Sequence, residues 1–597
     1  MSAVLVYRNV MVPMRDGVRL ATDLYFPSED GRTPARGPFH TLLTRTCYDK
    51  ARPMSVPGAV RAAMHGYVAG IQDVRGRYAS EGDFRLLQDD TRDGEDTVVW
   101  LGRQGWSSGR VGTFGVSFAG GIQMVLAPAR PPYLAACFSE QPAADEFTQR
   151  SFHDGGLCLE DVERWATGNA DDIIARMPEA QRARAVDELR QLQEMGGKAR
   201  ELLPLRDVPL LRLLPSLWSD VLDHWDDGAF FAANDVTSRL GDIAVPITHV
   251  GGWFDFFLRS TLTHFTGVSA PVEDPRVATA RENQRLIIGP WMHGGMTRGE
   301  AGESAFPDAA FDDFGAALAW HDRWQRGIDL PASLQPKVLL YVMGENRWRA
   351  EDAWPLPGTV MTDYFLGGDG ALSTTRPAST GSDAFEYDPR NPLPSCGGNG
   401  PGFAGRNDFS AHLNRPDVRV YTTPPLTEPL EVTGAVRATI YAASSATDTD
   451  WTAKLLDVTP DGKNYHVAGG ILRARYRNGR TSPRALTPGA VERYELDMWA
   501  TSLVFQPGHR IRLVISSSDF PVHDRNPNAF VDLTRHTERD FVVARQTVHH
   551  GSAHPSAVHL PVIPASRERR WVANPLPFDG VSSLPSVAEL PGSALPR

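Results

Sequence analysis

The stretch Val111-Gly-Thr-Phe-Gly-Val-Ser-Phe-Ala-Gly-Gly121 decides the fold. An apolar run leads into Gly115-Val-Ser117, and Ala119 to Ala129 carries helical spacing. A serine on a sharp turn between strand and helix is the setting of the nucleophile elbow in α/β-hydrolases. Glycines suit such a turn because it leaves little room for Cβ atoms. The helix start also brings N–H groups and a positive dipole end to the oxygen on which negative charge would develop. The match to G-x-S-x-G is incomplete: Ala119 stands where the second glycine belongs, and Gly120 comes one place later. A plain glycine–serine loop ahead of a helix reads the same way, so the neighbourhood has to decide.

Outward from the elbow, short apolar runs alternate with helical stretches. Phe39 to Arg45, Tyr67 to Gln72, Arg110 to Phe114 and Tyr133 to Phe138 read as strands. Val245 to Val250, Arg285 to Gly289 and Lys337 to Val342 continue the series. Buried strands alternating with helices predict a mostly parallel sheet covered on both faces. The expected fold class is therefore α/β, an α/β-hydrolase core in two parts, residues 1–142 and 241–354. Between them, 143–240 reads as a helical insertion, with Asp171 to Leu203 and Leu210 to Leu222 as its main helices. Glycine and proline cluster from Pro392 to Gly405. Alternating β-branched runs then recur at Val436–Ala443, Trp451–Val458, Arg493–Phe505, Arg510–Ser516 and Arg539–Val548. Residues 355–564 are expected to form a jelly-roll-like β-sandwich. The last segment, 565–597, rich in proline, serine and arginine, is expected to be irregular.

A serine hydroxyl needs a base to take its proton. On this fold the chain order is serine, then acid, then histidine, both partners on loops after later strands. Asp255 follows Ile247-Thr-His-Val-Gly-Gly-Trp-Phe254, and His293 follows Arg285-Leu-Ile-Ile-Gly-Pro-Trp-Met292. Of the rival histidines, His249 lies within a strand and His264 on a helix-like stretch, neither at a strand exit. The expected catalytic set is Ser117 as nucleophile, His293 as base and Asp255 as the orienting acid.

Further motifs point the same way. These are Met11 to Asp23, Gln72-Asp-Val-Arg-Gly-Arg77, Ser80-Glu-Gly-Asp-Phe84, Asp93-Gly-Glu-Asp-Thr97, Trp106-Ser107, Gly251 to Asp255 and Gly289 to His293. In the β region they continue with Pro429 to Gly434, Asp448-Thr-Asp-Trp-Thr-Ala-Lys454 and Gly470 to Tyr476. In this order they resemble the CocE/NonD family of serine hydrolases, which includes bacterial cocaine esterase, α-amino-acid ester hydrolases and X-Pro dipeptidyl-peptidases. The resemblance runs to about Pro564. The family elbow also carries its glycine one place late, so Ala119 is no defect. The resemblance implies an oxyanion hole made by the Tyr48 hydroxyl and the Phe118 N–H, and a helical block that caps the site. Trp165 on the cap, and Trp253, Phe254, Phe256 and Phe257 around the acid, are the expected apolar pocket. Asp154, Glu160, Asp161, Asp308, Asp312 and Asp313 are carboxylates that could hold an ammonium group, though such residues are usually solvated faces.

With 61 Lys and Arg against 72 Asp and Glu, the net charge is -11, which argues against nucleic acid or an anionic membrane as partner. The four cysteines are widely spaced and form no CxxC pair, so no metal is expected, and no cofactor motif is present. The start resembles no signal peptide, and a cytoplasmic location is the expectation. The expected partner is a small acyl ester or amide, with a homodimer left open. The expected activity is ester cleavage, with amides as a further option, through an acyl-enzyme. The alternatives are an X-Pro dipeptidyl-peptidase, an α-amino-acid ester hydrolase or acyltransferase, or a binding protein on a decayed hydrolase scaffold.

Overall fold

The computed structural model describes residues 3–592 and 595, apart from 144–145, 215–216, 233–234, 273, 579 and 581–586. Among the described residues, twelve strands make one sheet. Its centre is parallel. In spatial order it runs Val68–Asp73, Phe39–Thr46, Ser107–Val116, Leu134–Glu140, Ile247–Phe254, Arg285–Met292 and Val338–Val342. Strands such as Val68–Asp73 and Ile247–Phe254 are buried along their whole length, as a sheet covered on both faces requires. The N-terminal hairpin, Ala3–Pro13 with Arg19–Ser28, adds two antiparallel strands beyond Val68–Asp73.

The chain after Pro564 is not irregular throughout, which corrects the expectation for 565–597. Arg570–Val572 pairs antiparallel with Arg347–Glu351 at one edge of this sheet, and Val587–Pro591 pairs parallel with Ala3–Pro13 at the other. Both are short edge strands, of three and five residues, and the second ends on a proline, which a sheet edge accepts.

The C-terminal part is an all-β sandwich with antiparallel sheets. Its longest strand, Leu430–Ser444, pairs with Glu492–Phe505, Ala544–His550 and Ala557–Ile563. The facing sheet is Arg419–Thr422, Arg510–Ser516, Asp450–Val458 and Asn464–Arg473. The run expected from Arg539 begins as a strand only at Ala544, because Thr537 and Asp540 form a capping box around the helical turn Glu538–Asp540.

The insertion holds the helices Leu159–Gly168, Ala170–Arg176 and Glu179–Met195. The expected helix from Leu210 to Leu222 is not continuous. Leu210 has φ 59°, and among the described residues the stretch contains the turn Leu211–Leu213 and the short helix Ser219–Asp223 rather than one run. Leu210, Leu211, Leu214, Leu217 and Leu222 are buried all the same, packing with Trp218 and Trp225 and with Tyr476 and Leu533 of the sandwich.

Candidate active site

Chemistry-bearing residues collect at the carboxyl ends of five adjacent parallel strands. Tyr48 follows Phe39–Thr46, Ser117 follows Ser107–Val116, and Gln141 follows Leu134–Glu140. Asp255 follows Ile247–Phe254, and His293 follows Arg285–Met292. Ligands of open α/β sheets bind at such ends.

The elbow is strained as its chemistry demands. Ser117 sits at φ 63°, ψ -123°, immediately before the helix Phe118–Leu126. The displaced glycine has a steric reason. A Cβ on Gly120 would lie 2.4 Å from the Glu140 carbonyl oxygen, and one on Gly121 2.0 Å from that of Ala143. These two glycines let the helix press onto the neighbouring strand exit. Ala119 instead faces Gly115, where a second Cβ would come within 2.6 Å. The Ser117 N–H donates to the Glu140 carbonyl at 2.9 Å, fixing the turn.

His293 Nδ1 donates to Asp255 Oδ1 at 2.8 Å. Asp255 is fully buried, while the His293 side chain is 22% exposed. With the Nδ1 proton committed to the carboxylate, a neutral His293 presents an unprotonated Nε2. Phe256 and Phe257 flank the imidazole, with centroids 4.3 and 5.3 Å away. Two residues that sequence reasoning missed hold this pair. Gln141 Nε2 donates to the Met292 carbonyl at 3.0 Å and its Oε1 accepts from the Gly294 N–H at 2.6 Å, clamping the backbone on both sides of His293. Asn399, on the glycine-rich loop between the sandwich strands Gly381–Tyr387 and Arg419–Thr422, donates to the carbonyls of Trp253 at 3.1 Å and Asp255 at 2.9 Å. Neither sits in a motif that names such a role.

The Tyr48 hydroxyl accepts from the Trp165 indole N–H at 2.8 Å and lies beside the Ser117 side chain. Burial is the main reason its pKa lies well above that of an ordinary tyrosine. It therefore stays protonated, and the Trp165 bond occupies a lone pair rather than its proton. The Phe118 N–H is the first of its helix and has no intrahelical partner.

Ser117, Phe118, Tyr48, Trp165, Phe256, Phe257 and His293 line one cavity of about 1350 Å³. Trp253 and Phe254 do not line it. The Trp253 indole donates to the Tyr341 carbonyl, and Phe254 packs near Phe306, both in the core. They are still within the strand, whereas Phe256 and Phe257 follow its exit. Arg150, missed from sequence, lies in the cavity wall with its guanidinium 4.4 Å from the Trp165 ring centroid. Of the six candidate carboxylates, Asp161 and Asp313 reach the cavity. Asp154 pairs with Arg259, Asp312 with Arg61, and Glu160 accepts from the Gly402 N–H. Asp313 faces Glu140, another unforeseen residue of the wall. Burial first, and the facing carboxyl second, push the Glu140 pKa well up. The rival histidines are buried elsewhere: His249 bonds Gln284, and burial lowers His249 to about 4 and His264 to about 3.

An α/β-hydrolase core with a helical insertion and a C-terminal jelly-roll-like sandwich defines the class of this chain, a serine hydrolase. Residues 16–295 match the X-Pro dipeptidyl-peptidase (S15 family), and residues 332–559 match the X-Pro dipeptidyl-peptidase C-terminal non-catalytic domain. Cocaine esterase from Rhodococcus sp. (strain MB1 Bresler) is 38% identical over 585 residues, covering 93% of this chain and 98% of that one. Two solved structures each cover 94% of this chain and 97% of their own, at 25% identity. One is an aminopeptidase from the marine sediment archaeon Thaumarchaeota archaeon (TM-score 0.78), the other an α-amino acid ester hydrolase (TM-score 0.77). The chain belongs to the CocE/NonD family of serine hydrolases. No described helix is long and apolar enough to cross a membrane.

Proposed function

We propose that this ester hydrolase cleaves small acyl esters through Ser117, His293 and Asp255. The observation that carries the reading is the 2.8 Å bond from His293 Nδ1 to Asp255, made in the cavity that the strained Ser117 elbow enters. His293 Nε2 takes the Ser117 proton as Oγ attacks the ester carbonyl. The Tyr48 hydroxyl and the Phe118 N–H stabilise the resulting oxyanion. The acyl C–O bond then breaks, and the alcohol leaves with the proton from His293. Water, deprotonated by His293, attacks the acyl-enzyme, releases the acid and returns the proton to Ser117. Asp255 holds the imidazole in the required tautomer throughout.

The pocket is shaped by the cap, residues 143–240, which supplies Arg150 and Trp165. Phe256 and Phe257 make an apolar wall for an acyl or aryl group, in line with the name of the Rhodococcus relative. A second reading, hydrolysis of α-amino-acid esters or X-Pro amides, is favoured by Asp161 and Asp313 in the wall and by the names of the two solved relatives. Arg150 weakens it, because its guanidinium already offsets the Asp161 carboxylate. The test is a panel of aryl esters, amino-acid esters and Gly-Pro-anilide, with fluorophosphonate labelling. Aryl-ester turnover and labelling are expected in the wild type, with turnover reduced roughly 10⁴-fold or more and labelling lost in Ser117→Ala. Turnover of the anilide alone would overturn the ester reading, and an unlabelled wild type would overturn the nucleophile.

A further inference from the structure

Ahead of the cap helix Leu159–Gly168, a small hairpin pairs Phe152–His153 with Gly156–Leu157 and lies against the sandwich. The approach is close: a Cβ on Gly155 would meet the Tyr476 ring at 2.1 Å, and one on Gly156 the His523 ring at 3.4 Å. Three donors converge at this seam. The candidate ligand atoms of His153, Cys158 and His523 all lie within 4.8 Å of one another. His153 Nδ1 and His523 Nε2 are 3.2 Å apart. Two imidazole nitrogens on one tetrahedral zinc, each at about 2.0–2.1 Å, stand about 3.3 Å from each other. We propose that His153, Cys158 and His523 form a binding site for a thiophilic divalent cation of the zinc class, joining the cap to the sandwich.

The surroundings support the assignment independently. His523 Nδ1, the nitrogen facing away from the cluster, is 3.8 Å from Asp519 Oδ2. Neither His523 Nδ1 nor Asp519 Oδ1 has a hydrogen-bond partner, although both atoms are buried. Lys454 holds Asp519 at 3.0 Å. A carboxylate behind a histidine is the usual outer partner of a metal-bound imidazole, and Asp519 stands on that side of His523, though beyond hydrogen-bond distance of Nδ1 here. Coordination uses the lone pair of a neutral imidazole. On binding, the cation displaces the Cys158 thiol proton to solvent and forms the metal–sulfur bond. A dication and a thiolate leave one positive charge at the site; Asp519, behind the His523 ring, is shared with Lys454. Chain spacing conceals such a site, because two ligands come from the cap hairpin and the third from a sandwich loop.

Cobalt(II) tests this on the full chain after dialysis against a chelator. One equivalent should bind with a thiolate-to-cobalt charge-transfer band, and zinc should displace it. The band should be lost in Cys158→Ser and kept in Cys396→Ser. Asp519→Asn should weaken binding about 10–100-fold. Absence of the band from the wild type, or its persistence in Cys158→Ser, overturns the site and leaves only a histidine–histidine hydrogen bond. The wild-type spectrum decides even if a variant fails to fold. Fluorophosphonate labelling of Ser117 reads the hydrolase proposal separately.

Discussion

The parallel core and the antiparallel sandwich divide the work unequally. Every described residue lining the cavity lies between Thr44 and Phe314, apart from Phe578 of the C-terminal segment. The sandwich lines none of it, yet it holds the parts that do. It is anchored by a buried ionic box: Arg473, fully buried, donates to both carboxylate oxygens of Asp450 at 2.9 Å and to those of Asp524 at 2.9 and 3.0 Å. Arg475 pairs with Asp448, and Asn526 bridges Asp448 and Asp450. Asp524 also accepts from the Leu157 N–H at 2.8 Å, so the box reaches into the cap. The sequence motifs Asp448-Thr-Asp450 and Arg473-Ala-Arg475 are thus scaffold. A motif can mark a family without marking its chemistry.

Breaking the box should have the largest effect of the substitutions outside the nucleophile. Arg473→Met leaves Asp450 and Asp524 buried without their cation and should destabilise the protein by about 3–5 kcal/mol. Thermal unfolding measures this; an unchanged transition would show that the box does not anchor the sandwich. On the core side, Tyr48→Phe removes one oxyanion donor and keeps the ring. It should lower kcat roughly 10²–10³-fold with little change in KM. A rise in KM at unchanged kcat would instead make Tyr48 a ground-state contact.

What was legible in the sequence follows the same division. The core strands announce themselves as continuous apolar runs, and the elbow, Asp255 and His293 sit where those runs end. Local pattern suffices there because the sheet is buried on both faces. Gln141 and Asn399 were not legible: each is a polar loop residue whose role exists only once distant carbonyls are brought to it. Trp253 and Phe254 look like Phe256 and Phe257 in sequence, and only the point of strand exit separates core from cavity. The edge strand Arg570–Val572 is three residues long, too short for any periodicity to show. Leu210 to Leu222 has the apolar content of a helix, but burial of its leucines is reached by an irregular path.

Asn399→Ala probes the comparison most directly, since it removes the contact by which a loop of the sandwich holds the acid loop. Freed carbonyls at Trp253 and Asp255 should let Asp255 shift, lowering kcat on the order of tenfold with KM nearly constant. Asn399→Asp cannot donate through its carboxylate and should resemble the alanine variant, while Asn399→Gln should recover part of the loss. Equal activity in all three would make the contact incidental to catalysis.

The smallest effect concerns the carboxyl pair in the cavity wall. Glu140 has its pKa raised well above that of an ordinary glutamate, by burial first and then by Asp313. The folded state therefore keeps a proton that the unfolded chain releases. Between the ordinary glutamate range and the raised value, the native state binds more protons, so stability falls as pH rises. Glu140→Gln keeps the shape and can still donate to Asp313 but has no proton to lose. Its unfolding temperature should match the wild type near about pH 4 and exceed it by about 2–4 °C near about pH 8. A gap that stays constant with pH would mean the substitution acts through packing. A gap that closes as pH rises would reverse the sign of the coupling and show that Glu140 is held ionised. The core would then keep two facing charges in its cavity wall, whereas a buried core carboxylate such as Asp73 has a cation, Lys50, to balance it.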